Sequence, residues 1–475
     1  MSAVVSAFVL TAGLVVEATG GRLVAGDVGR VFDRVSTDSR TMATQAGAVR
    51  GAGSLFIALS GPRFDGHRFV AEAIAGGAAG VLVSTAPTIT GDAAVILVDD
   101  PLQALQRLGQ AVRRRSGARV VAITGSAGKT TTKEATAACL ASRYRVFRNA
   151  GNLNNHIGLP YSLLELRHGP DVAVVELGMN HAGEIRRLVA LAEPDVRVWT
   201  NVGNAHIGQF GSPEAIAVAK AEILDDATPS TLVVANADDP LVMQHVSQSP
   251  ATVRTFGFGP RADVCATQVH DRGFDGTRAE LTTPWGPVSL QVGLAGRSNL
   301  LNVLAAVTVA LELGVPATDV ARAAATIVAL DQRGAFSELA NGARLVDDSY
   351  NASPAAVNAM LVTLAATSTE GRRIAVIGEM LELGDGSSAL HIECGRAAAG
   401  AGVDVLVAIG GAAAYSLLDG ARESGMNPSQ LLRFADSLSA ADAVAELVRP
   451  GDLILVKGSR GTHTEIVADR LKEEA

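Results

Sequence analysis

The chain has 475 residues, and at roughly 150 residues per domain this length predicts about three domains. Its 48 acidic against 40 basic residues argue against a general binder of nucleic acid, and its 4% aromatic content argues against a surface that works by stacking bases. With 48% hydrophobic and 19% charged residues, the composition is that of folded domains with substantial cores and not of a disordered chain.

The N-terminal apolar segment predicts a short helix and not a targeting signal. Thr11 is the expected N-cap, and the buried stripe should consist of Leu14, Val15 and Ala18. No basic residue precedes the segment, and no later run offers the roughly 20 apolar residues that a membrane helix needs. The three cysteines form no C-x-x-C pair, so we expect neither disulfides nor a cysteine zinc site. Together these features predict a cytoplasmic protein without membrane insertion.

Two changes in sequence character divide the chain. The first is the basic, turn-prone stretch at 113–117, and the second is the stretch at 331–334 that follows a helix-rich segment. We therefore predict an N-terminal domain over residues 1–115, a central domain over 116–330 and a C-terminal domain over 331–475.

Short apolar runs alternate with helical segments in the central and C-terminal domains, which is the pattern of parallel sheets with crossover helices. Residues 252–295 differ, because their shorter alternating runs and turn-rich stretches indicate antiparallel strands. The runs expected to be strands are Arg119–Thr124, Val172–Leu177, Val196–Val202, Leu232–Asn236, Arg344–Asp348, Arg373–Gly378, Val405–Gly410 and Asp452–Val456.

The most specific local signal is the run Thr124-Gly125-Ser126-Ala127-Gly128-Lys129-Thr130-Thr131, which lies between a predicted strand and a predicted helix. Glycines let backbone N–H groups converge on phosphate oxygens, and the helix N terminus adds positive potential. Lys129 would then reach the terminal phosphates of ATP, and Thr130 would coordinate magnesium. Only two residues separate the glycines, so the standard phosphate-loop spacing is not matched. A glycine-rich turn with an exposed Lys129 is the alternative.

Polar residues follow several predicted strands, where ligands collect in open α/β sheets. Glu176 could hold a hard cation or be a capping or surface carboxylate, and His206 could bind metal or be structural. Lys220 falls in a helical stretch, and by itself it is interpreted as a solvated lysine. Similar clusters, each of which could be ordinary turn chemistry, stand at 347–351, 378–380, 410–411 and 457–460.

With these residues assembled, the chain resembles the Mur ligase family over nearly its whole length. The shortened phosphate loop is similar to that family's own variant. The other blocks that carry the resemblance are 38–40, 65–67, 151–160, 176–180, 201–206, 299–302, 347–354 and 457–460. The last two blocks are most similar to the family member that adds D-alanyl-D-alanine.

The resemblance implies an α/β fold in three domains, with a central P-loop ATPase-like parallel sheet and a C-terminal Rossmann-like α/β domain. It implies an ATP-dependent ligase with Mg2+ that joins D-alanyl-D-alanine to the terminal carboxylate of UDP-N-acetylmuramoyl-tripeptide through an acyl phosphate. The N-terminal domain would hold the UDP substrate, the central domain ATP and the C-terminal domain the incoming dipeptide. No nucleic-acid partner is expected, and the protein is expected to be a monomer.

The resemblance also implies roles for individual residues. ATP would be bound by Gly125, Ser126, Ala127, Gly128, Lys129, Thr130, Thr131, Asn302 (adenine), Arg333 (γ-phosphate) and Asp348 (ribose). Metal would be bound by Thr130, Glu176, His206 and a carboxylated Lys220. The implied catalytic residues are Lys129, Glu176, His206, Lys220 and Arg333. The implied substrate-binding residues are Ser39, Arg40, Asp65, Gly66, His67, Asn152, Asn155, Tyr350 and Asn351.

Two other interpretations stay open from the sequence. One is a different ligase of the same superfamily, such as a folylpolyglutamate synthase or a sister Mur ligase that adds a single amino acid. The UDP-type first domain argues against the former, and the lack of an Asp-Asn-Pro-Arg motif argues against the diamino-acid-adding sister. The other is a nucleotide-binding regulatory or scaffold protein that has lost ligation. The intact set Lys129, Glu176, His206 and Lys220 argues against this.

Overall fold

The computed structural model describes residues 7–42, 53–62, 64–88, 92–203, 205 and 207–473. The described residues form three large sheets, of six, nine and six strands, and one two-stranded sheet. Each large sheet falls inside one predicted domain, which confirms the α/β class and the three-domain layout. The chain folds into two compact units, Met1–Ala122 with Tyr144–Arg197 and Ile123–Arg143 with Val198–Ala475.

The first large sheet lies in the N-terminal domain. Its elements are β1 (Leu10–Thr11), α1 (Ala12–Thr19), β2 (Arg22–Ala25), β3 (Val31–Ser36), β4 (Gly53–Ile57), β5 (Ser60–Gly61), β6 (Phe64–Asp65), α2 (Val70–Ala75), β7 (Ala78–Val83), β8 (Ala94–Leu97) and α3 (Pro101–Ser116). The strand order is β1-β3-β4-β7-β8-β2, with β5 and β6 forming the separate pair. Thr11 caps α1 as predicted, because its hydroxyl accepts a hydrogen bond from the Leu14 N–H at 3.2 Å. Val15 is buried, whereas Leu14 and Ala18 are only half-buried.

The nine-stranded sheet belongs to the central domain. Its elements are β9 (Arg119–Thr124), α4 (Lys129–Ala141), β10 (Val146–Arg148), α5 (Gly158–Leu163), β11 (Val172–Glu176), α6 (Glu184–Ala192), β12 (Val196–Trp199), α7 (Ile207–Phe210), α8 (Pro213–Ala221), β13 (Leu232–Asn236), α9 (Pro240–Val246), β14 (Thr252–Gly257), β15 (Val264–Asp271), β16 (Thr277–Thr282), β17 (Val288–Val292), α10 (Gly296–Glu312) and α11 (Ala317–Ala325). The strand order is β10-β11-β9-β12-β13-β14-β15-β16-β17.

The antiparallel arrangement predicted for residues 252–295 is only partly confirmed. Strands β15, β16 and β17 pair antiparallel to one another, but β14 pairs parallel to β13 and β15 pairs parallel to β14. The prediction was wrong for β14 because α9 supplies the crossover connection that a parallel neighbour requires.

The third large sheet lies in the C-terminal domain. Its elements are β18 (Ala335–Glu338), β19 (Arg344–Asp348), α12 (Pro354–Ala366), β20 (Arg373–Gly378), α13 (Ser387–Gly400), β21 (Val405–Ile409), α14 (Ala412–Glu423), β22 (Leu431–Phe434), α15 (Ser437–Leu447), β23 (Leu453–Lys457) and α16 (Glu465–Glu473). The strand order is β18-β19-β23-β20-β21-β22, and β18 is the antiparallel edge. Two apolar clusters fill the space between this sheet and the helices. Strands β19 and β23 are parallel neighbours in which Asp348 pairs with Lys457.

Two further predictions can be compared with the described residues. None of the helices in the described ranges is both long enough and apolar enough to cross a membrane. The three cysteines are buried free thiols.

Candidate functional site

The phosphate loop connects β9 to α4 through two glycines whose backbone φ angles are positive, 155° at Gly125 and 81° at Gly128. Side chains disfavour this region, so glycine is the natural residue at both positions. Space is also limiting. A Cβ atom on Gly125 would lie 1.9 Å from Thr200 Oγ1, and one on Gly128 would lie 2.1 Å from Asn302 Oδ1. The loop therefore needs both glycines for its conformation and for its packing.

The segment after β12 holds the loop in place. Thr200 Oγ1 donates to the Ala127 carbonyl at 2.8 Å, and Asn201 Oδ1 accepts from the Ala127 N–H at 2.9 Å. The Ser126 N–H donates to the Asn201 carbonyl at 3.1 Å, and the Gly203 N–H donates to Ser126 Oγ at 2.9 Å. The Ser126 and Ala127 amides are thus engaged by Asn201. The amides at the start of α4 are left as the candidates for phosphate oxygens.

Two lysines converge on one carbonyl of this loop. Lys129 Nζ donates to the Gly125 oxygen at 2.9 Å, and Lys220 Nζ donates to the same oxygen at 3.1 Å. Lys220 is only 2% exposed, so its interpretation as a solvated lysine is wrong. Burial, reinforced by the positive charge of Lys129, holds the pKa of Lys220 well below its usual value. A lowered pKa makes the neutral, nucleophilic form of the amine easier to reach.

Glu176 lies at the carboxyl end of β11 and is only 4% exposed, so the surface interpretation is wrong for it as well. Asn154 Nδ2 donates to Glu176 Oε1 at 2.8 Å. The backbone N–H of Glu176 donates to Asn149 Oδ1 at 3.1 Å, which fixes the strand end. The hydrogen bond from Asn154 orients the carboxylate, whose oxygens are donors of the kind that a hard cation takes.

The other predicted metal ligands are a hydroxyl and a histidine. Thr130, in the first turn of α4, is 7% exposed, and its hydroxyl is an oxygen donor of the kind that magnesium takes. His206 lies outside the described residues. Within the described ranges no three His, Cys, Asp or Glu side chains form a metal-binding group. Thr130 and Glu176 each offer side-chain oxygens, the ligand type that magnesium takes.

Asn302 lies beside the phosphate loop. Its side chain is buried against Gly128, Thr132 Oγ1 lies 3.4 Å from its Oδ1, and its Nδ2 donates to Asn299 Oδ1 at 3.3 Å. The adenine contact implied for Asn302 stays a prediction. A small pocket lined in part by Thr131, Asn299 and Arg333 brings the arginine to the same region.

The C-terminal site residues meet at the carboxyl ends of β19 and β23. The guanidinium carbon of Arg333 lies 3.9 Å from the centroid of the Tyr350 ring, a cation–π distance. Asp348 forms a short ion pair with Lys457, which also donates to the Asn351 carbonyl at 3.0 Å. Burial raises the pKa of Asp348, while the charge of Lys457 works against that rise.

Among the predicted substrate residues of the N-terminal domain, Arg40 is the most accessible, with its side chain 83% exposed. It forms a salt bridge with Asp38 at 2.7 Å and thereby lowers the pKa of that carboxyl. Ser39 Oγ donates to Glu72 Oε1 at 3.2 Å. The Arg40 head group is thus open to an anionic ligand, in competition with Asp38.

The Asp65-Gly66-His67 turn is held by its own hydrogen bonds. His67 Nε2 accepts from the Ser84 N–H at 2.9 Å, so Nδ1 carries the proton and donates to Asp65 Oδ1 at 2.8 Å. The hydrogen bond from His67 lowers the pKa of Asp65 to about 2. A Cβ on Gly66 would lie 2.7 Å from the Leu59 carbonyl. The structure thus gives this turn a shaping role, and its contact with substrate stays a prediction.

Two asparagines before α5 complete the set. Asn155 Oδ1 accepts from the N–H groups of Ile157 and Gly158 at 3.0 and 2.8 Å, so that oxygen caps the chain entering α5. Asn152 is exposed. Asn154, which lies between them and contacts Glu176, carried no role in the sequence prediction.

Family models match three successive parts of the chain. They are described as Mur ligase family, catalytic domain (residues 32–143), Mur ligase middle domain (123–310) and Mur ligase, glutamate ligase domain (332–460). A protein of Escherichia coli named UDP-N-acetylmuramoyl-tripeptide--D-alanyl-D-alanine ligase is 37% identical over 458 residues, which cover 95% of this chain and 96% of that protein. The chain belongs to the Mur ligase family.

Solved structures agree with the architecture of this Mur ligase. A crystal structure of MurF from Acinetobacter baumannii is 32% identical, covers 99% of this chain and 100% of its own, and superposes with a TM-score of 0.87. MurF from Thermotoga maritima, solved in complex with ADP, is 30% identical, covers 93% of this chain and 97% of its own, and has a TM-score of 0.78.

Some functional contacts of the Mur ligase were missed from the sequence. Thr200 and Asn201 shape the phosphate loop, Asn154 holds Glu176, and Lys457 pairs with Asp348. Except for Asn154, each follows the end of a strand or is its last residue. A position at the end of a strand could therefore have marked these residues as candidates, but it does not indicate which residue each of them contacts.

Proposed function

We propose that this Mur ligase is the ATP-dependent enzyme that joins D-alanyl-D-alanine to UDP-N-acetylmuramoyl-tripeptide. The products are UDP-N-acetylmuramoyl-pentapeptide, ADP and phosphate, so the enzyme serves peptidoglycan precursor synthesis. The observation that carries the proposal is that relatives named for this reaction are 33–37% identical over at least 93% of this chain. The phosphate loop supports the use of ATP.

The first chemical step requires stabilisation of charge. The terminal carboxylate of the tripeptide attacks the γ-phosphorus of ATP, the bond to the β-phosphate oxygen breaks, and ADP leaves. Both reactants are anions, so the cations Lys129 and Arg333 lower the repulsion between them. The pocket shared by Thr131 and Arg333 supports a place for Arg333 beside the nucleotide.

The second step forms the peptide bond. The free amine of D-alanyl-D-alanine attacks the carbonyl carbon of the acyl phosphate, and the tetrahedral intermediate collapses with release of phosphate and a proton. Exclusion of water protects the acyl phosphate from hydrolysis. The proposal assigns the incoming dipeptide to the C-terminal domain, where Tyr350 and Asn351 lie at the carboxyl end of β19.

Magnesium is part of the proposal, held by Thr130, Glu176, His206 and a carboxylated Lys220. When bound, it neutralises phosphate charge and polarises the γ-phosphoryl group. Once deprotonated, the amine of Lys220 attacks the carbon of carbon dioxide, and loss of a second proton from nitrogen gives a carbamate with oxygen donors. Lys220→Ala should therefore be inactive and partly recover with added short carboxylic acids. Unaltered activity would contradict this role.

A cytoplasmic location, a monomeric state and the absence of a nucleic-acid partner complete the proposal. The substrates support the location, since ATP and UDP-linked precursors are cytoplasmic metabolites. Sedimentation of the purified protein tests the monomer directly, and a stable dimer would contradict it.

Phosphate release tests the proposed reaction. We expect release only when ATP, UDP-N-acetylmuramoyl-tripeptide and D-alanyl-D-alanine are all present, with a pentapeptide product of the expected mass. Release with a single amino acid in place of the dipeptide would indicate a sister ligase. ATP binding without any release would indicate a regulatory protein that has lost ligation.

A further inference from the structure

Two arginines lie over the same aromatic ring at the carboxyl end of the C-terminal sheet. The guanidinium carbon of Arg333 is 3.9 Å from the Tyr350 ring centroid, and that of Arg460 is 5.2 Å from it. Among the residues that the structure describes, no carboxylate forms a salt bridge with either arginine. A fully ionised guanidinium that stacks on a ring keeps its N–H donors at the edge available for an anion.

The carboxylates nearest in sequence to this ring already have cationic partners. Asp348 is paired with Lys457, and Asp347 is paired with Lys472 at 2.7 Å. The charge of Arg333 also acts on Asp348. Within the described part of the chain, Arg460 is therefore the arginine at this ring that neither aspartate engages, and its N–H groups can take an anion.

The chain around Arg460 is rigidly held. The preceding Ser459 is 4% exposed, and its hydroxyl accepts from the Leu381 N–H at 3.0 Å. Thr462 Oγ1 donates to the Ser459 carbonyl at 2.6 Å, and a Cβ on Gly458 would lie 2.6 Å from the same Thr462 oxygen. Arg460 itself is exposed. An exposed cation on a fixed turn is suited to recognition of a ligand, because little backbone order has to be gained on binding.

The reaction supplies an anion for each arginine. Arg333 lines the pocket next to Thr131 and is assigned to the nucleotide. The incoming dipeptide carries a free carboxylate, which a planar guanidinium matches with two parallel hydrogen bonds. We propose that Arg460, steadied by Tyr350, binds the carboxylate of the incoming D-alanyl-D-alanine. This inference rests on the proposed function.

Such an anchor would also orient the nucleophile. An extended dipeptide spans at most about 7 Å, so a carboxylate held by Arg460 keeps the amine within that distance of the bound carboxylate. The anchor would select amines that carry a carboxylate at this spacing, and a dipeptide amide would lose both the charge and one of the two hydrogen-bond acceptors. Discrimination between dipeptide and dipeptide amide is therefore the signature of Arg460.

The test compares wild type, Arg460→Gln and Arg460→Lys with D-alanyl-D-alanine and with D-alanyl-D-alaninamide. For the glutamine variant we expect the KM for the dipeptide to rise about 10- to 100-fold, with the KM values for ATP and for the UDP substrate unchanged. Turnover of the amide should be the same in wild type and variant, and the lysine variant should recover part of the loss. Arg422→Gln, at an exposed arginine of α14 paired with Asp419, is the matched control.

The outcomes separate this inference from the function on which it rests. If the wild type ligates the dipeptide and Arg460→Gln keeps both its KM and its discrimination against the amide, the inference is wrong and the function stands. A rise in the KM for ATP alone would assign Arg460 to the nucleotide and also overturn the inference. If the wild type does not ligate the dipeptide at all, the proposed function fails. Tyr350→Phe should keep the stacking of Arg460 on the ring and the KM for the dipeptide. Tyr350→Leu should abolish the stacking and raise that KM, with the thermal stability unchanged.

Discussion

Lys129 and Lys220 donate hydrogen bonds to one acceptor, the carbonyl oxygen of Gly125, at 2.9 and 3.1 Å. Two ammonium groups at one carbonyl repel each other, and with Lys220 only 2% exposed, water does little to screen them. The repulsion and the burial penalty are relieved when Lys220 releases its proton, which is why its pKa is low. Burial and the nearby charge of Lys129 therefore both favour the neutral form of Lys220.

Stability should depend on pH through Lys220. The pKa of Lys220 is lowered in the folded state. At pH values between this lowered pKa and the ordinary lysine pKa, the unfolded chain binds more protons than the folded one, so the free energy of unfolding rises with pH in that range. The slope is about 1.4 kcal/mol per pH unit for one proton. Denaturant unfolding in buffers free of carbon dioxide should show this slope for wild type relative to Lys220→Met. Parallel curves for the two proteins would show that the amine stays charged when buried.

Gly128, just before α4, should tolerate no side chain, because a Cβ there has no space. Gly117 also has a positive φ angle, but it has space for a Cβ. At Gly128 the φ angle is 81° and a Cβ would meet Asn302 Oδ1, whereas at Gly117 the φ angle is 66° and a Cβ would meet nothing within 4 Å. We expect Gly117→Ala to lower the free energy of unfolding by about 1 kcal/mol and to keep ATP binding. Gly128→Ala should lose ATP binding by calorimetry. Equal ATP affinities in the two variants would contradict the packing argument.

The strands that sequence predicted best are those with both faces buried. In the C-terminal domain the predicted bounds of β19, β20, β21 and β23 agree with the structure within one residue. Strands β20, β21 and β23 contain continuous apolar runs, because helices cover both faces of the sheet, and β19 has the buried pair Leu345 and Val346 at its centre. Strands β18 and β22 were missed, since each is a short edge strand without a fully buried residue and so carries little hydrophobic pattern.

The parts of the candidate site that the sequence could indicate are those formed by consecutive residues. The phosphate loop is one such run. Lys220 was not recognisable as buried, because α8 is rich in alanine and shows no polar face that would reveal its orientation. The contact of Asn154 with Glu176 joins residues 22 apart through the tertiary fold, which no spacing rule describes.

Asn154 should matter for stability. Asn154→Leu removes the amide that donates to Glu176 Oε1 and leaves a carboxylate that is 4% exposed without that donor. We expect a loss of about 1–3 kcal/mol in the free energy of unfolding. Asn152→Leu, at an exposed neighbour, should change the free energy of unfolding by less than about 0.5 kcal/mol. Matching unfolding curves for both variants would contradict the role of Asn154.

Lys129 should be essential for the chemistry and dispensable for the fold. Lys129→Ala removes the cation assigned to the terminal phosphates, so kcat for phosphate release should fall by at least about 10²–10³-fold. Its hydrogen bond to Gly125 is a local one, so the free energy of unfolding should change by no more than about 1 kcal/mol. Arg322→Ala, at a side chain 75% exposed on α11, controls for the loss of a positive charge. Since Lys129 also helps to lower the pKa of Lys220, the variant should shift that pKa upward. Near-normal turnover in Lys129→Ala would overturn the assignment of this loop to ATP.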